Sequence, residues 1–225
     1  MIVIKRGKEP NSLLQLRKQN PNADYESDTP SDVLKDVREQ MWREQKHLCA
    51  YCMKKIDSPD LVRIEHCRPR HPRNEVEHDK KATLDFKWML GVCYGNSLVK
   101  GVKMEDRTCD AHRGNTELTI NPFDEKSVRR IKYKENGYIY SDDEKINKDV
   151  TETLNLNCQA MSLPQTRRRV LLAEKNRIMK KCNGKSHDAF IRELERTYQS
   201  LVQDQNLTPY CGIIISWLES KLKIS

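Results

Sequence analysis

The two-residue gap in Cys49-Ala-Tyr-Cys52 restricts this chain more than any other feature of its 225 residues. Thiolates at that spacing reach one tetrahedral zinc ion at about 2.3 Å each, and the ion needs two further ligands wherever they lie in sequence. No second C-x-x-C exists. Cys93 and Cys109 are assigned as the remaining pair, because lengthening a loop between ligands costs only about 0.6 kcal/mol per doubling; His47, Cys67 and His112 are the alternatives. A redox reading of the motif asks for a βαβ setting that the flanking residues do not provide. Cys158, Cys182 and Cys211 fall in helical patterns and read as core or surface thiols.

Composition narrows the rest. Only 36% of the residues are hydrophobic and 33% are charged, which predicts helices with solvated faces rather than wide buried sheets. Lysine and arginine outnumber the acids 41 to 33, a net charge of +8 that favours an anionic partner such as nucleic acid. No apolar stretch approaches the roughly 18 residues of a membrane helix, and the start MIVIKRGKEP is too short for a signal peptide. The expectation is a soluble cytoplasmic protein, in which thiols and metal ligands are commoner than disulfides.

Three regions follow. Residues 1–48 read as a short strand, a helix opened at Asn11 and stopped by Asn20-Pro21, and a second helix capped by Thr29-Pro30-Ser31 with its apolar stripe at Val33, Leu34, Val37, Met41 and Leu48. Residues 49–124 are irregular and hold five of the cysteines. Residues 125–225 begin with two β-prone runs around Glu135-Asn136-Gly137, a hairpin signal, and continue as helices over 164–182, 186–205 and 209–222.

Between the cysteines, Leu61 to Ile64 reads as a strand running into Glu65-His66. Neighbours on a strand face opposite ways, so the two can share a site only where the strand ends, and Cys67-Arg68-Pro69 supplies an ending. A carboxylate beside an imidazole suits metal-assisted phosphodiester hydrolysis: a neutral histidine takes a proton from water, while Mg²⁺ or Mn²⁺ on hard oxygen ligands neutralises phosphate charge. Lys54, Lys55, Arg63, Arg68, Arg70 and Arg73 surround the pair, with Arg167, Arg168 and Arg169 farther on, and such groups contact phosphates.

CAYC, RIEHCRP, DFKWMLGVCYGN and CDAHRGN with INPFD together resemble the zinc-knuckle branch of the HNH endonucleases over residues 49–124, and more closely the PtuB nuclease subunits of Septu-type and retron-associated anti-phage systems. The resemblance implies an α+β, mostly helical protein in which a zinc-stabilised ββα-metal module sits within helices. It implies His66 as general base, Glu65 and Asp110 as holders of a catalytic Mg²⁺ or Mn²⁺, His112 and Asn115 as competitors for that role, and Arg113 as a phosphate contact. The pattern departs where an asparagine usually braces the histidine loop: Trp88 stands there, leaving Asn96 or no residue in that role. The implied partners are a PtuA-like ATPase and a retron reverse transcriptase with its RNA–DNA hybrid, and the implied substrate is nucleic acid, DNA by default with RNA or tRNA as the other option. The competing reading is a non-catalytic, zinc-stabilised adaptor that binds nucleic acid or tethers partners.

Overall fold

Pro10 and Pro30, both in extended backbone, each hand the chain into a helix: α1, Asn11–Gln19, and α2, Ser31–Glu44. A fixed proline φ and a missing N–H suit a helix start. A computed structural model of the chain describes residues 1–68, 70, 80–203 and 207–224; Arg73 and Pro69 lie outside these. Helix α2 buries Val33, Val37 and Met41 along one face and ends at Glu44, short of the apolar pattern that runs to Leu48. Lys46 and His47 take positive φ and turn the chain, so Leu48 instead bridges Lys55 beside the cysteine knuckle. The first nine residues form no strand; Ile4 N–H makes one bond, to the Pro122 carbonyl at 2.9 Å.

The fold is α+β, 48% helical, with two small antiparallel sheets. Strand β1, Arg63–His66, pairs with β2, Met89–Val92, in the register Arg63 to Val92 and His66 to Met89, and the short helix α3, Lys80–Thr83, lies between them in sequence. A single helical turn, α4 (Asp110–Arg113), and helix α5 (Glu125–Arg129) follow. The second sheet is the hairpin anticipated around Asn136: β3 (Ile131–Tyr133) and β4 (Ile139–Ser141), with Lys134 N–H donating to Tyr138 O at 2.8 Å. Helix α6, Glu144–Lys148, runs into a π-turn over Asp149–Thr153. Three longer helices complete the chain: α7 (Leu163–Cys182), α8 (His187–Gln203) and α9 (Gly212–Leu222).

The main core crosses the regional boundaries drawn from sequence. It joins Leu13 of α1, Met41 of α2, the four cysteines, Leu90 of β2 and Ile139 of β4 in one cluster that reaches Leu163. The hairpin therefore packs into the same core as the cysteines. A second cluster, Leu171, Ile178, Leu194, Ile213, Ile214 and Leu218, holds α7, α8 and α9 to one another. Arg167, one of the three consecutive arginines, is buried and donates to Gly137 O at 2.6 Å and Leu156 O at 2.8 Å, so it fastens the hairpin turn rather than meeting a partner. Arg168 and Arg169 are exposed. Among the described residues, no helix is long and apolar enough to cross a membrane.

Candidate metal centre and arginine-lined cleft

The knuckle is built by backbone bonds before any ion is considered. Cys49 N–H donates to Lys54 O at 2.9 Å, Met53 N–H returns to Cys49 O at 3.0 Å, and Met53 takes a positive φ that closes the turn. Gln45 docks this turn on β2: its side-chain amide donates to Gly91 O at 2.6 Å and accepts from Gly91 N–H at 2.8 Å. A side chain at position 91 would crowd Gln45, and Ala50 N–H also donates to Gly91 O, at 3.0 Å. This contact brings Cys93, just past β2, over the knuckle. Cys109 arrives from the other side, held by its N–H on Leu154 O at 2.8 Å, with the positive φ that turns the chain into α4.

The four sulfurs lie within 4.8 Å of one another, all buried. Cys49 to Cys109 is 3.9 Å, Cys52 to Cys93 is 3.7 Å and Cys93 to Cys109 is 3.8 Å. A tetrahedral ion with sulfur at about 2.3 Å requires edges of about 3.8 Å, which these three edges match, so the four thiols could hold a metal such as zinc. Its proton chemistry agrees. Burial opposes ionisation of Cys49, yet hydrogen bonds from the other thiols, Cys109 first, hold it well below the ordinary thiol range. Those same contacts, Cys49 first, push Cys109 well above that range. One negative charge forms readily here; four need a cation. His47 stacks on Trp42 instead, with ring centroids 3.7 Å apart, and Cys67 and His112 also stand outside the sulfur cluster.

Beside this centre opens a cleft of about 250 Å³ lined by Glu65, His66, Asp110, Arg113 and Asn115 together with Arg63, Arg70 and Arg107. His66 ends β1, as the strand argument required, and its Nε2 lies 2.8 Å from the Thr83 carbonyl. A carbonyl can only accept, so Nε2 carries the hydrogen and Nδ1 keeps its lone pair. The Tyr25 ring packs edge-on against the imidazole at 4.7 Å. Burial pushes the imidazole down to about 4, so it is neutral near pH 7.

Glu65 and Asp110 both line the cleft and stand close enough for their carboxyl groups to share a hydrogen bond. Burial pushes the Glu65 carboxyl up to about 8; the Arg113 guanidinium opposes that rise and the Asp110 carboxylate adds to it. Glu65 ion-pairs with Arg113 and accepts from Tyr51 Oη at 3.1 Å, while Asp110 pairs with Arg63 Nε at 2.5 Å.

Arg113 does not reach out to phosphate. Its side chain is 1% exposed, and its donors go to Glu65, His66 O at 2.9 Å, Cys67 O at 2.8 Å and Thr116 O at 2.8 Å. It clamps the end of β1 to α4. Breaking a buried pair by removing one partner costs about 3–5 kcal/mol, so Arg113→Ala is expected to lower the melting temperature by roughly 10 °C, measured by thermal denaturation at constant zinc. Arg113→Lys is expected to recover little of this, since an ammonium cannot present the planar fork of donors that these acceptors require.

The remaining sequence assignments divide. Arg70 lines the cleft but pairs with Glu26 and lies over the Tyr25 ring. Arg68 is exposed outside the cleft lining, stacked on Trp88 at 4.6 Å. His112 turns its Nδ1 to Thr153 O at 3.0 Å and does not line the cleft. Asn96 likewise stays outside it, in a loop turn with positive φ. The brace on the histidine is the backbone of Thr83, which no side-chain motif announces. Tyr25 and Arg107 also escaped the sequence reading, the first because it comes from a polar loop far upstream. Compared with known proteins, the chain matches no family model and no curated protein.

Proposed function

We propose that this protein is an HNH-type endonuclease that hydrolyses phosphodiester bonds in nucleic acid, with DNA as the default substrate and RNA or tRNA as the alternative. One observation carries the reading: Glu65, His66 and Asp110 converge on a single arginine-lined cleft whose imidazole is buried, neutral and fixed through Nε2. In the reaction His66 Nδ1 takes a proton from water as the oxygen attacks phosphorus; the P–O bond to the leaving oxygen breaks and that oxygen is protonated from solvent. Two crowded carboxylates, one raised by burial and by the other's charge, are hard donors of the kind that hold Mg²⁺ or Mn²⁺. When bound, such an ion supplies charge neutralisation at the phosphate and the leaving oxygen. The sulfur cluster holds the scaffold beneath them, in the role of a structural zinc site. The resemblance of residues 49–124 to the PtuB subunits extends the proposal to cytoplasmic anti-phage defence alongside a PtuA-like ATPase, with a retron reverse transcriptase and its RNA–DNA hybrid as further partners.

A second reading, a zinc-stabilised nucleic-acid-binding adaptor that does not cleave, rests on the ion pairs: Arg63 and Arg113 already balance Asp110 and Glu65. Incubating the zinc-loaded protein with plasmid DNA and with tRNA, in Mg²⁺ or Mn²⁺ and with or without the ATPase, separates the two. Products that appear with the cation and vanish with EDTA are expected. Binding without products on either nucleic acid would establish the adaptor instead.

A further inference from the structure

The segment joining Cys93 to Cys109 has no part in the chemistry above, yet it is held tightly at its base and open at its tip. Thr108 N–H donates to Gly95 O at 3.0 Å, and Gly95 takes a φ of +52° where a Cβ would strike Thr108 O. The Asn155 amide reaches over from just beyond the π-turn to Glu105 O at 2.8 Å and Arg107 O at 2.9 Å. With a cysteine of the sulfur cluster at each end, the loop projects as a braced element. At its tip Leu98 is 70% exposed, Val99 56% and Met104 51%. Three such side chains on one braced loop, with Lys100 and Lys103 exposed among them, are an unusual use of surface.

Its base carries the second observation. Of the four arginines lining the cleft, Arg63, Arg70 and Arg113 are paired with Asp110, Glu26 and Glu65. Arg107 is the exception. Among the described residues it has no carboxylate partner, its Nε is buried without a hydrogen bond, and its one side-chain contact is Nη1 to Met104 Sδ at 3.9 Å. A guanidinium held without a counter-charge in a cleft suits an incoming anion.

We propose that residues 94–108 engage duplex DNA: Arg107 binds a backbone phosphate inside the cleft, and Leu98 and Val99 press into a neighbouring base step and unstack it. This deepens the nuclease reading and rests on it for the purpose of the cleft. The chemistry of the tip selects the duplex. Single strands are held by aromatic platforms, and between Leu98 and Met104 there is no aromatic residue. Aliphatic wedges enter base steps of DNA from the minor groove, whereas RNA helices are read mainly by shape and 2′-hydroxyl contacts. Lys100 beside the wedge supplies positive charge toward the backbone, while Lys103 is paired with Glu105 at 3.5 Å.

The test uses the full zinc-loaded chain carrying His66→Gln, so that cleavage is silent, and short DNA duplexes with 2-aminopurine at successive positions. Binding is expected to raise fluorescence at one step. Leu98→Ser with Val99→Ser is expected to remove most of that rise while changing affinity by less than about threefold. Arg107→Ala is expected to weaken binding about tenfold and to lower the salt slope by about one. An undiminished rise in the serine variant, unchanged affinity in the alanine variant, or binding to single strands but not to duplex overturns the proposal. Failure of the nuclease reading looks different: the unsubstituted protein cleaves nothing while these binding results stand.

Discussion

His66→Ala and His66→Gln are both expected to reduce nucleic-acid cleavage by about 10²–10⁴-fold, the usual contribution of a general base, with zinc content unchanged. The glutamine variant is the sharper of the two. Its side-chain amide can still donate to Thr83 O, replacing the 2.8 Å contact of Nε2, and it occupies much of the space beside Tyr25. It offers nothing that accepts a proton in place of Nδ1. Cleavage by His66→Gln at the unsubstituted rate, on plasmid DNA or tRNA with Mg²⁺, would remove His66 from the mechanism, whereas loss in alanine alone would reduce it to packing.

Acid sensitivity gives a readout of the same residue that needs no substrate. In the unfolded chain the imidazole protonates near the ordinary value of 6.5; in the fold, burial pushes it down to about 4. Between those values the unfolded chain takes up a proton that the folded one refuses. Stability contributed by the neutral histidine is therefore complete above pH 6.5, falls as pH drops, and is lost by about pH 4, a difference on the order of 3 kcal/mol. Melting temperatures of the unsubstituted protein and His66→Gln are expected to diverge across that window and to run parallel above it. The acid limb of the cleavage profile, which reports the folded protein alone, is expected near pH 4, where the buried imidazole takes its proton.

Local rules made much of the scaffold legible. The Asn11 start located α1, the Thr29-Pro30-Ser31 cap located α2, and the Glu135-Asn136-Gly137 turn located β3 and β4, because these elements depend on neighbours in sequence. The cysteine set was legible because ligand chemistry is stringent about donor type and lenient about loop length. β1 was legible only in part, since Leu61 at the head of its apolar run lies in a 3₁₀ turn, Pro59–Leu61, and the strand begins at Arg63; the length of α2 was not, since two positive-φ residues after Glu44 overrode its periodicity. Contacts made through the backbone across long sequence gaps stayed invisible. Thr83 O on His66, Leu154 O on Cys109 and Gly91 against Gln45 have no side-chain signature that pattern reading could detect. Arg113 shows the other gap: its position in the motif suggested phosphate, while burial beside Glu65 and two strand-end carbonyls decided its role.

Cys52→Ser is expected to have the largest effect on folding. Its sulfur lies 3.7 Å from Cys93 Sγ within a cluster whose other members come from the knuckle and from the start of α4. A structural zinc site of this kind contributes about 10–16 kcal/mol, comparable with the roughly 5–15 kcal/mol that separates most folded domains from their unfolded chains. The four cysteines also belong to the main apolar core together with Met41, Leu90 and Ile139. Without the ion, one crowded group of thiols remains in place of a cross-link between β2, the knuckle and α4, and the carboxylates on β1 and α4 lose their common footing. The variant is therefore expected to lose bound zinc, its cooperative thermal transition and protease resistance over residues 49–124. The second cluster, between α7, α8 and α9, contains none of the four sulfurs, so helical signal from those segments is expected to outlast the rest. Cys158→Ser, which alters a buried thiol whose contact is Asp106 O at 3.6 Å, serves as the control: it is expected to keep zinc and lose no more than about 1–3 kcal/mol. If Cys52→Ser binds zinc stoichiometrically and melts like the unsubstituted protein, the sulfur cluster is not the metal centre of this fold.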